Sequence, residues 1–250
     1  MRMSSIIGKM AKSGRYFREA LLDLCFPPFC LACNESLADG TFLFCDECFG
    51  KIKFIKGPYC FCCGRPYASG ENHLCSLCLK KGRHFHLARA VVLYNETVAV
   101  SIRAFKFRGR KAALSTFQKM KEQSLCCRDL GDPDIIIPVP LHPKRLRKRG
   151  FNQALLLARL FFPDQGGKIE KSLLLRRRDT VSQTGLDGMS RRKNMKDAFV
   201  VKRPDLVNGK HVIVVDDVFT TGTTVDECAR VLMAAGAKRV EVLTLARVDK

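Results

Sequence analysis

Three features of this sequence predict an α/β fold, in which a parallel sheet of about five strands carries a Cys-rich, metal-built N-terminal head. Ile135–Ile137 and Val212–Val215 are short β-branched runs of the kind that fill buried parallel strands. Each leads through a loop into a helix, Ala154–Phe162 after the first and about Val225–Ala235 after the second. Gly236 stops the second helix, and a further strand follows at Val240–Ala246. Ten of the 13 cysteines fall within the first 80 residues.

A chain of 250 residues has room for one large domain or two modest ones. With 46% hydrophobic residues and 17 Phe it can build a core, which excludes a disordered chain. No apolar run approaches the roughly 18 residues needed to cross a bilayer. The opening MRMSSIIGKMAKSGRYFREALLDL lacks the apolar stretch and cleavage site of a secretory signal, so a cytoplasmic protein is expected. Three regions are expected: an N-terminal amphipathic helix over 1–24, the head over 25–84 and the α/β domain over 85–250. The first sets Ile6, Met10, Phe17, Leu21 and Leu24 on one side, for packing against its own protein rather than a membrane.

Eight cysteines form a repeat. Cys30-x2-Cys33-x11-Cys45-x2-Cys48 recurs as Cys60-x2-Cys63-x11-Cys75-x2-Cys78, offset by 30 residues at every position. Two thiolates from one tight turn and two from another complete a tetrahedral four-sulfur site. The pattern therefore predicts two structural Zn2+ sites with no open coordination position. Units this small bury too little surface to fold alone, so the metal supplies much of the folding energy. Disulfides fit poorly with an odd thiol count in a chain lacking a secretory signal. Sequential ribbons and a cross-braced pair use the same eight residues, and the spacing serves either. Cys25 and Cys62 stand outside the register, while Cys126, Cys127 and Cys228 read as packing residues.

Charge is as uneven as the cysteines. Of a formal +20, residues 103–203 carry +16, from 25 basic and nine acidic side chains. Such a surplus predicts an anionic partner, and nucleic-acid backbone is the usual polyanion. No aromatic nucleic-acid motif or recognition helix accompanies it, so any binding is expected to be non-specific and salt-sensitive.

The segment after Val212–Val215 carries the sharpest chemistry. Asp216 and Asp217 are expected at the strand's carboxyl end, followed by Thr220-Thr221-Gly222-Thr223-Thr224 and the helix. Loop N–H groups, Thr hydroxyls and a helix dipole converge on an anion, and Gly222 allows close backbone approach. Two carboxylates beside a phosphate site serve something else, either sugar hydroxyls or a divalent cation. The whole segment looks like the phosphoribosyl pyrophosphate (PRPP) loop of type I phosphoribosyltransferases. That likeness implies Asp216 and Asp217 on the ribose 2′- and 3′-hydroxyls, with Thr220–Thr224 around the 5′-phosphate.

Upstream, Ile135–Ile137 runs into Pro138-Val139-Pro140-Leu141-His142-Pro143, a loop stiffened by three prolines. The basic run Lys144, Arg145, Arg147, Lys148 and Arg149 follows, then Gly150-Phe151-Asn152-Gln153 at the start of the helix. In the phosphoribosyltransferase layout this loop, with Val139 and Pro140, faces the pyrophosphate. Further on, Arg176, Arg178, Thr180, Gln183, Arg191 and Asn194 form a polar, cationic stretch suited to covering that leaving group. His142 is read equally as a ligand contact or a turn hydrogen bond.

Taken together, PVPLHPKRLRKRGFNQ, the R-x-R-x-T-x-x-Q…R-x-x-N spacing and VVDDVFTTGTT resemble the ComF family over nearly the whole chain, Tyr94 and Phe105-Lys106 included. These are phosphoribosyltransferase-like proteins with an N-terminal zinc-ribbon region, linked to natural competence. The resemblance implies a type I phosphoribosyltransferase-like sheet with a double zinc-ribbon head, binding PRPP with Mg2+. Asp216 and Asp217 would position the sugar, and Arg176, Arg178 and Arg191 would stabilise departing pyrophosphate, with Val91–Arg110 covering the site. No residue announces itself as a base for the acceptor, so a transferase reaction stays open. The alternative is a non-enzymatic factor that holds single-stranded DNA among DNA-uptake proteins, with PRPP as a regulatory or vestigial ligand.

Overall fold

The computed structural model describes residues 28–38, 40–108, 111–179 and 195–249. The amphipathic segment 1–24, Cys25, Thr180, Gln183, Arg191 and Asn194 lie outside them.

Two short helices belong to the head, α1 (Asp46–Gly50) and α2 (Ser76–Lys81), and each starts directly after a ligand cysteine, Cys45 or Cys75. The body then runs β1 (Leu87–Leu93), α3 (Glu96–Arg108), α4 (Lys111–Gln123), β2 (Ile135–Pro138), α5 (Pro143–Arg149) and α6 (Gln153–Phe161). It continues with β3 (Leu174–Arg176), β4 (Phe199–Val201), β5 (His211–Phe219), α7 (Thr223–Ala234) and β6 (Arg239–Arg247).

Among the described residues the main sheet has four strands in the order β1-β6-β5-β2, every pair parallel, where about five were expected. The missing fifth place falls after α6. There a tight 3-10 turn over Pro163–Lys168, containing Gly166 and Gly167, leaves Ile169 alone to bridge Ile136. The chain then pairs β3 with β4 antiparallel in a separate two-stranded sheet.

Strand β5 is longer than its β-branched run suggests. It continues through Asp216 and Asp217 to Phe219 because β6 runs beside it, with Asp216 opposite Thr244 and Val218 opposite Ala246. On its other side β2 stops at Pro138, and the last bond is Val139 N–H to Val215 O at 2.9 Å. Among the described residues no strand pairs with that edge of β5 beyond this point, which opens a crevice past the strands' carboxyl ends, the usual ligand position in open α/β sheets.

Alternation along the strands divides the core in two. Val212, Val214, Val240 and Val242 pack with α7, the β3–β4 sheet and the second cysteine set. Ile213, Val215, Leu243 and Leu245 pack on the opposite face with α3, α4, α6 and the first set. The two ribbons thus sit on opposite faces, and the chain joining them crosses the outer edge of β1. There Ala88 N–H donates to Cys62 O at 2.7 Å, Leu93 N–H donates to Lys53 O at 2.8 Å, and Phe54 bridges Val92. No described helix is long and apolar enough to cross a membrane.

Candidate functional site

A pocket of about 600 Å³ occupies the crevice beyond β2 and β5. Its walls come from five regions. Tyr94, Arg103 and Lys106 belong to β1–α3, Val139 and Leu141 to the proline loop, and Arg145, Arg149 and Gln153 to α5–α6. Arg176 ends β3, and Asp216, Asp217, Thr220 and Thr224 complete the wall. Of the region Val91–Arg110 expected to form part of the cover, Tyr94, Arg103 and Lys106 line the pocket.

The acidic pair is held together locally. Asp217 N–H donates to Asp216 Oδ1 at 2.9 Å, and Lys106 Nζ lies 2.5 Å from Asp217 Oδ2. Burial pushes the Asp216 carboxyl up to about 7, and its neighbour Asp217 adds to the shift. The Asp217 N–H, Lys106 and Arg176 oppose it without cancelling it. Adjacent carboxylates that resist ionising together invite cations or hydroxyl donors.

The Thr-rich loop turns on Gly222, which has φ +76° and caps α7, with Asp226 N–H reaching its carbonyl at 2.9 Å. A Cβ there would collide with the Phe219 ring, so the position needs glycine for space as well as for backbone freedom. Thr220 and Thr224 face the pocket. Thr221 and Thr223, whose hydroxyls lie 2.8 Å apart, line a second cleft of about 460 Å³ towards the second ribbon.

Helix α5 sorts the basic run. Arg145 and Arg149, four apart and on one face, are half-buried in the pocket wall, while Lys144, Arg147 and Lys148 are exposed. His142 caps this helix by accepting the Lys144 N–H at 3.4 Å, which favours its turn role. Asp179 Oδ1 lies 3.6 Å from both His142 Nδ1 and Arg145 Nε, tying the end of the β3 segment to the proline loop. Burial lowers the pKa of Arg149 and of Arg176, yet guanidinium stays charged at any physiological pH.

Not every expected residue reaches the pocket. Arg178 is exposed and donates to Lys196 O at 2.9 Å, and Pro140 is buried behind the wall. Conversely, Lys106, Arg103 and Gln153 line the pocket without having been singled out for a role. Gln153 is only 3% exposed, and its Nε2 has no hydrogen-bond partner. The Gln153 signal was its place at the opening of α6; Lys106 was marked only by the Phe105-Lys106 resemblance, and its pairing with Asp217 was hidden because the partner is distant in sequence.

The cysteines resolve into Cys30, Cys33, Cys45 and Cys48, and Cys60, Cys63, Cys75 and Cys78, with the four ligand atoms of each set within 4.8 Å of one another. The ribbons are sequential, not cross-braced. Cys33–Cys45 and Cys63–Cys75 sulfurs are each 3.7 Å apart, matching the roughly 3.8 Å edge of a tetrahedron with ~2.3 Å Zn–S bonds. Burial raises the Cys30 and Cys60 thiols, but backbone N–H groups of the knuckles outweigh it and bring both down to about 6. Donor chemistry and spacing both fit structural zinc. Cys62 lies outside the set with Sγ 3.9 Å from Phe85 O, and Cys228 is fully buried in α7.

The family model for the double zinc ribbon domain matches residues 21–79, and that for the phosphoribosyl transferase domain matches residues 157–250. DNA utilization protein YhgH of Escherichia coli O157:H7 is 33% identical over 228 residues, 90% of this chain and 99% of that protein. Competence protein F of Haemophilus influenzae is 32% identical over 178 residues, 68% of this chain and 76% of the relative. A solved allosteric regulatory enzyme of purine biosynthesis overlaps 47% of this chain and 23% of its own, at 22% identity and a TM-score of 0.32. The protein is thus a phosphoribosyltransferase-like α/β protein with a double zinc ribbon. It belongs to the ComF family.

Proposed function

We propose that the pocket binds PRPP and transfers its phosphoribosyl group to a nucleophile from outside the protein. The observation that carries this reading is the pair Asp216–Asp217 at the end of β5, one turn before the Gly222 loop and the N-terminus of α7. Backbone N–H groups of Thr221–Thr224 and the helix dipole suit the 5′-phosphate. Asp216 and Asp217 suit the ribose 2′- and 3′-hydroxyls.

Arg145, Arg149 and Arg176 lie on the same pocket wall. They suit the pyrophosphate, and Arg191 is proposed to join them. In this reaction the C1–oxygen bond to pyrophosphate breaks through an oxocarbenium-like state, and the acceptor's lone pair forms the new bond at C1. The leaving pyrophosphate takes the electron pair, and the cationic wall stabilises it. Two carboxylates are hard oxygen donors that fit Mg2+, which would neutralise ligand charge when bound beside them. Unpaired cysteine thiolates persist most readily in a reducing compartment, in keeping with a cytoplasmic protein.

Calorimetric titration with PRPP and Mg2+ tests this. Saturable binding that Asp216→Asn with Asp217→Asn abolishes supports it, and absence of saturable binding in the wild type overturns it. Release of pyrophosphate across a panel of nucleobases and amines would identify the acceptor class.

A second reading rests on charge. The +16 surplus of residues 103–203 exceeds what one PRPP can use, and Lys144, Arg147 and Lys148 point to solvent beside the pocket. In this reading that surface holds single-stranded DNA backbone, in line with relatives named for DNA utilization and competence. It predicts DNA affinity that falls steeply with salt and survives the paired Asp→Asn change.

A further inference from the structure

The two zinc ribbons share a sequence pattern but not their surroundings. The first ribbon meets the helical layer: Leu43 N–H donates to Thr116 Oγ1 at 2.9 Å, and Lys119 Nζ lies 3.2 Å from Asp46 Oδ1. The second ribbon meets the phosphate loop by two routes.

One route passes through Arg247, the last residue of β6, which is 6% exposed. Its Nη1 donates to Cys63 O at 2.6 Å, and its Nη2 lies 3.7 Å from Cys63 Sγ. The same guanidinium sits 4.8 Å from the Phe219 ring centroid, and that ring abuts Gly222 at the turn of the loop. The other route leaves the end of α2, where Gly82 N–H donates to Cys78 O at 3.1 Å. The next residue, Arg83, donates from Nη2 to Thr221 O at 3.1 Å. His84 N–H then donates to Asp226 Oδ1 at 2.8 Å, in the first turn of α7. The turn is therefore contacted by Arg247, which is bonded to Cys63, and by Arg83 and His84, which follow the Gly82–Cys78 bond.

We infer that the second four-cysteine site positions the phosphate loop, whereas the first site serves folding alone. Arg247 is the positioning residue between metal and loop. With zinc bound, the Cys63 knuckle is fixed, and Arg247 can press Phe219 against Gly222 so that the loop N–H groups stay directed at an anion. Without it, the carbonyl and sulfur that orient Arg247 lose their geometry, and Phe219 is free to leave the turn. The cleft between ribbon and loop is not a second ligand site on this view, because Arg83, His84 and Arg247 are already engaged with protein groups. The consequence for phosphate binding rests on the PRPP reading above; the consequence for loop order does not.

The experiment uses the full chain with each site broken in turn, Cys45→Ser with Cys48→Ser and Cys75→Ser with Cys78→Ser. Zinc content, hydrogen exchange over residues 219–226 and PRPP titration are read on the same samples. Loss of the second site should speed exchange in 219–226 and weaken PRPP at least about fivefold, the size of a typical coupling between sites. Loss of the first should leave both within about twofold. If the cysteine variants do not fold, Arg247→Met and Arg247→Lys keep both zincs and give the same readout. Methionine should loosen the loop and lysine should recover it in part. Equal protection of 219–226 in both site variants, or an unchanged loop in Arg247→Met, overturns the inference. A wild type that binds no PRPP while the exchange pattern follows the second site would remove the PRPP reading and leave this one standing.

Discussion

Lys106 on α3 and Asp217 at the end of β5 form an ion pair of 2.5 Å across the pocket mouth. The pair links α3 to the carboxyl end of β5, and it also bears on the neighbouring carboxyl, since Lys106 lowers the Asp216 pKa. Replacing Lys106 with Met should therefore raise the pH at which Asp216 ionises. If PRPP with Mg2+ requires ionised Asp216, the midpoint of the affinity–pH profile moves up, while Lys106→Arg keeps it near the wild-type position. Titrations between about pH 5.5 and 8.5 read the midpoint directly, and an unmoved midpoint would mean the ion pair does not govern ionisation.

Asp216 also makes stability depend on pH. Its pKa in the fold is raised to about 7 from 3.8, so folding favours the protonated form. The contribution is complete below about pH 4, declines as pH rises through the folded value, and is flat above it. Asp216→Asn removes the cost of ionisation. The variant should gain about 1–3 kcal/mol over wild type at pH 8 and little or nothing near pH 4. Urea denaturation at the two pH values tests the sign, and an advantage confined to low pH would refute it.

At Gly222, φ +76° and the Phe219 ring act together against any side chain. Gly222→Ala should cost about 1–3 kcal/mol and weaken phosphate binding with it. Gly150 has a similar φ of +81° but open space around it, so Gly150→Ala should cost only about 1 kcal/mol. Equal losses at the two positions would show that backbone strain, not the ring, sets the requirement.

Gln153 presents a buried amide nitrogen with no protein partner to the pocket wall. Such a group costs about 1–3 kcal/mol when left unsatisfied. Gln153→Leu should raise thermal stability while weakening PRPP binding, a split that a purely structural glutamine would not produce. Loss of both properties together would assign Gln153 to the core.

The parts of this molecule governed by neighbours in sequence were legible before any coordinates. Four thiolates on two tight turns specify their own geometry, so all eight zinc ligands follow from spacing. Asp216, Gly222 and Thr224 lie within one strand–turn–helix and follow from local pattern. What escaped depends on distant partners. Strand β5 runs past its β-branched residues only because β6 continues beside it. Among the described residues, the place beside β2 is taken by one bridging residue, Ile169, after the turn at Pro163–Lys168. Lys106 meets Asp217 only through the packing of α3, and which knuckles share a metal required the path of the chain.

The ribbon segments along β1 have a further consequence. Strand β1 is the outer strand of the sheet, seven residues of Leu-Ala-Arg-Ala-Val-Val-Leu, six of them buried. Its backbone is occupied by Cys62 O and Lys53 O, and Phe54 bridges Val92. A chain beginning near residue 85 would expose that apolar strand as a ready template for a second copy, and the isolated body should self-associate. The head therefore covers the edge of β1 that a further strand would need.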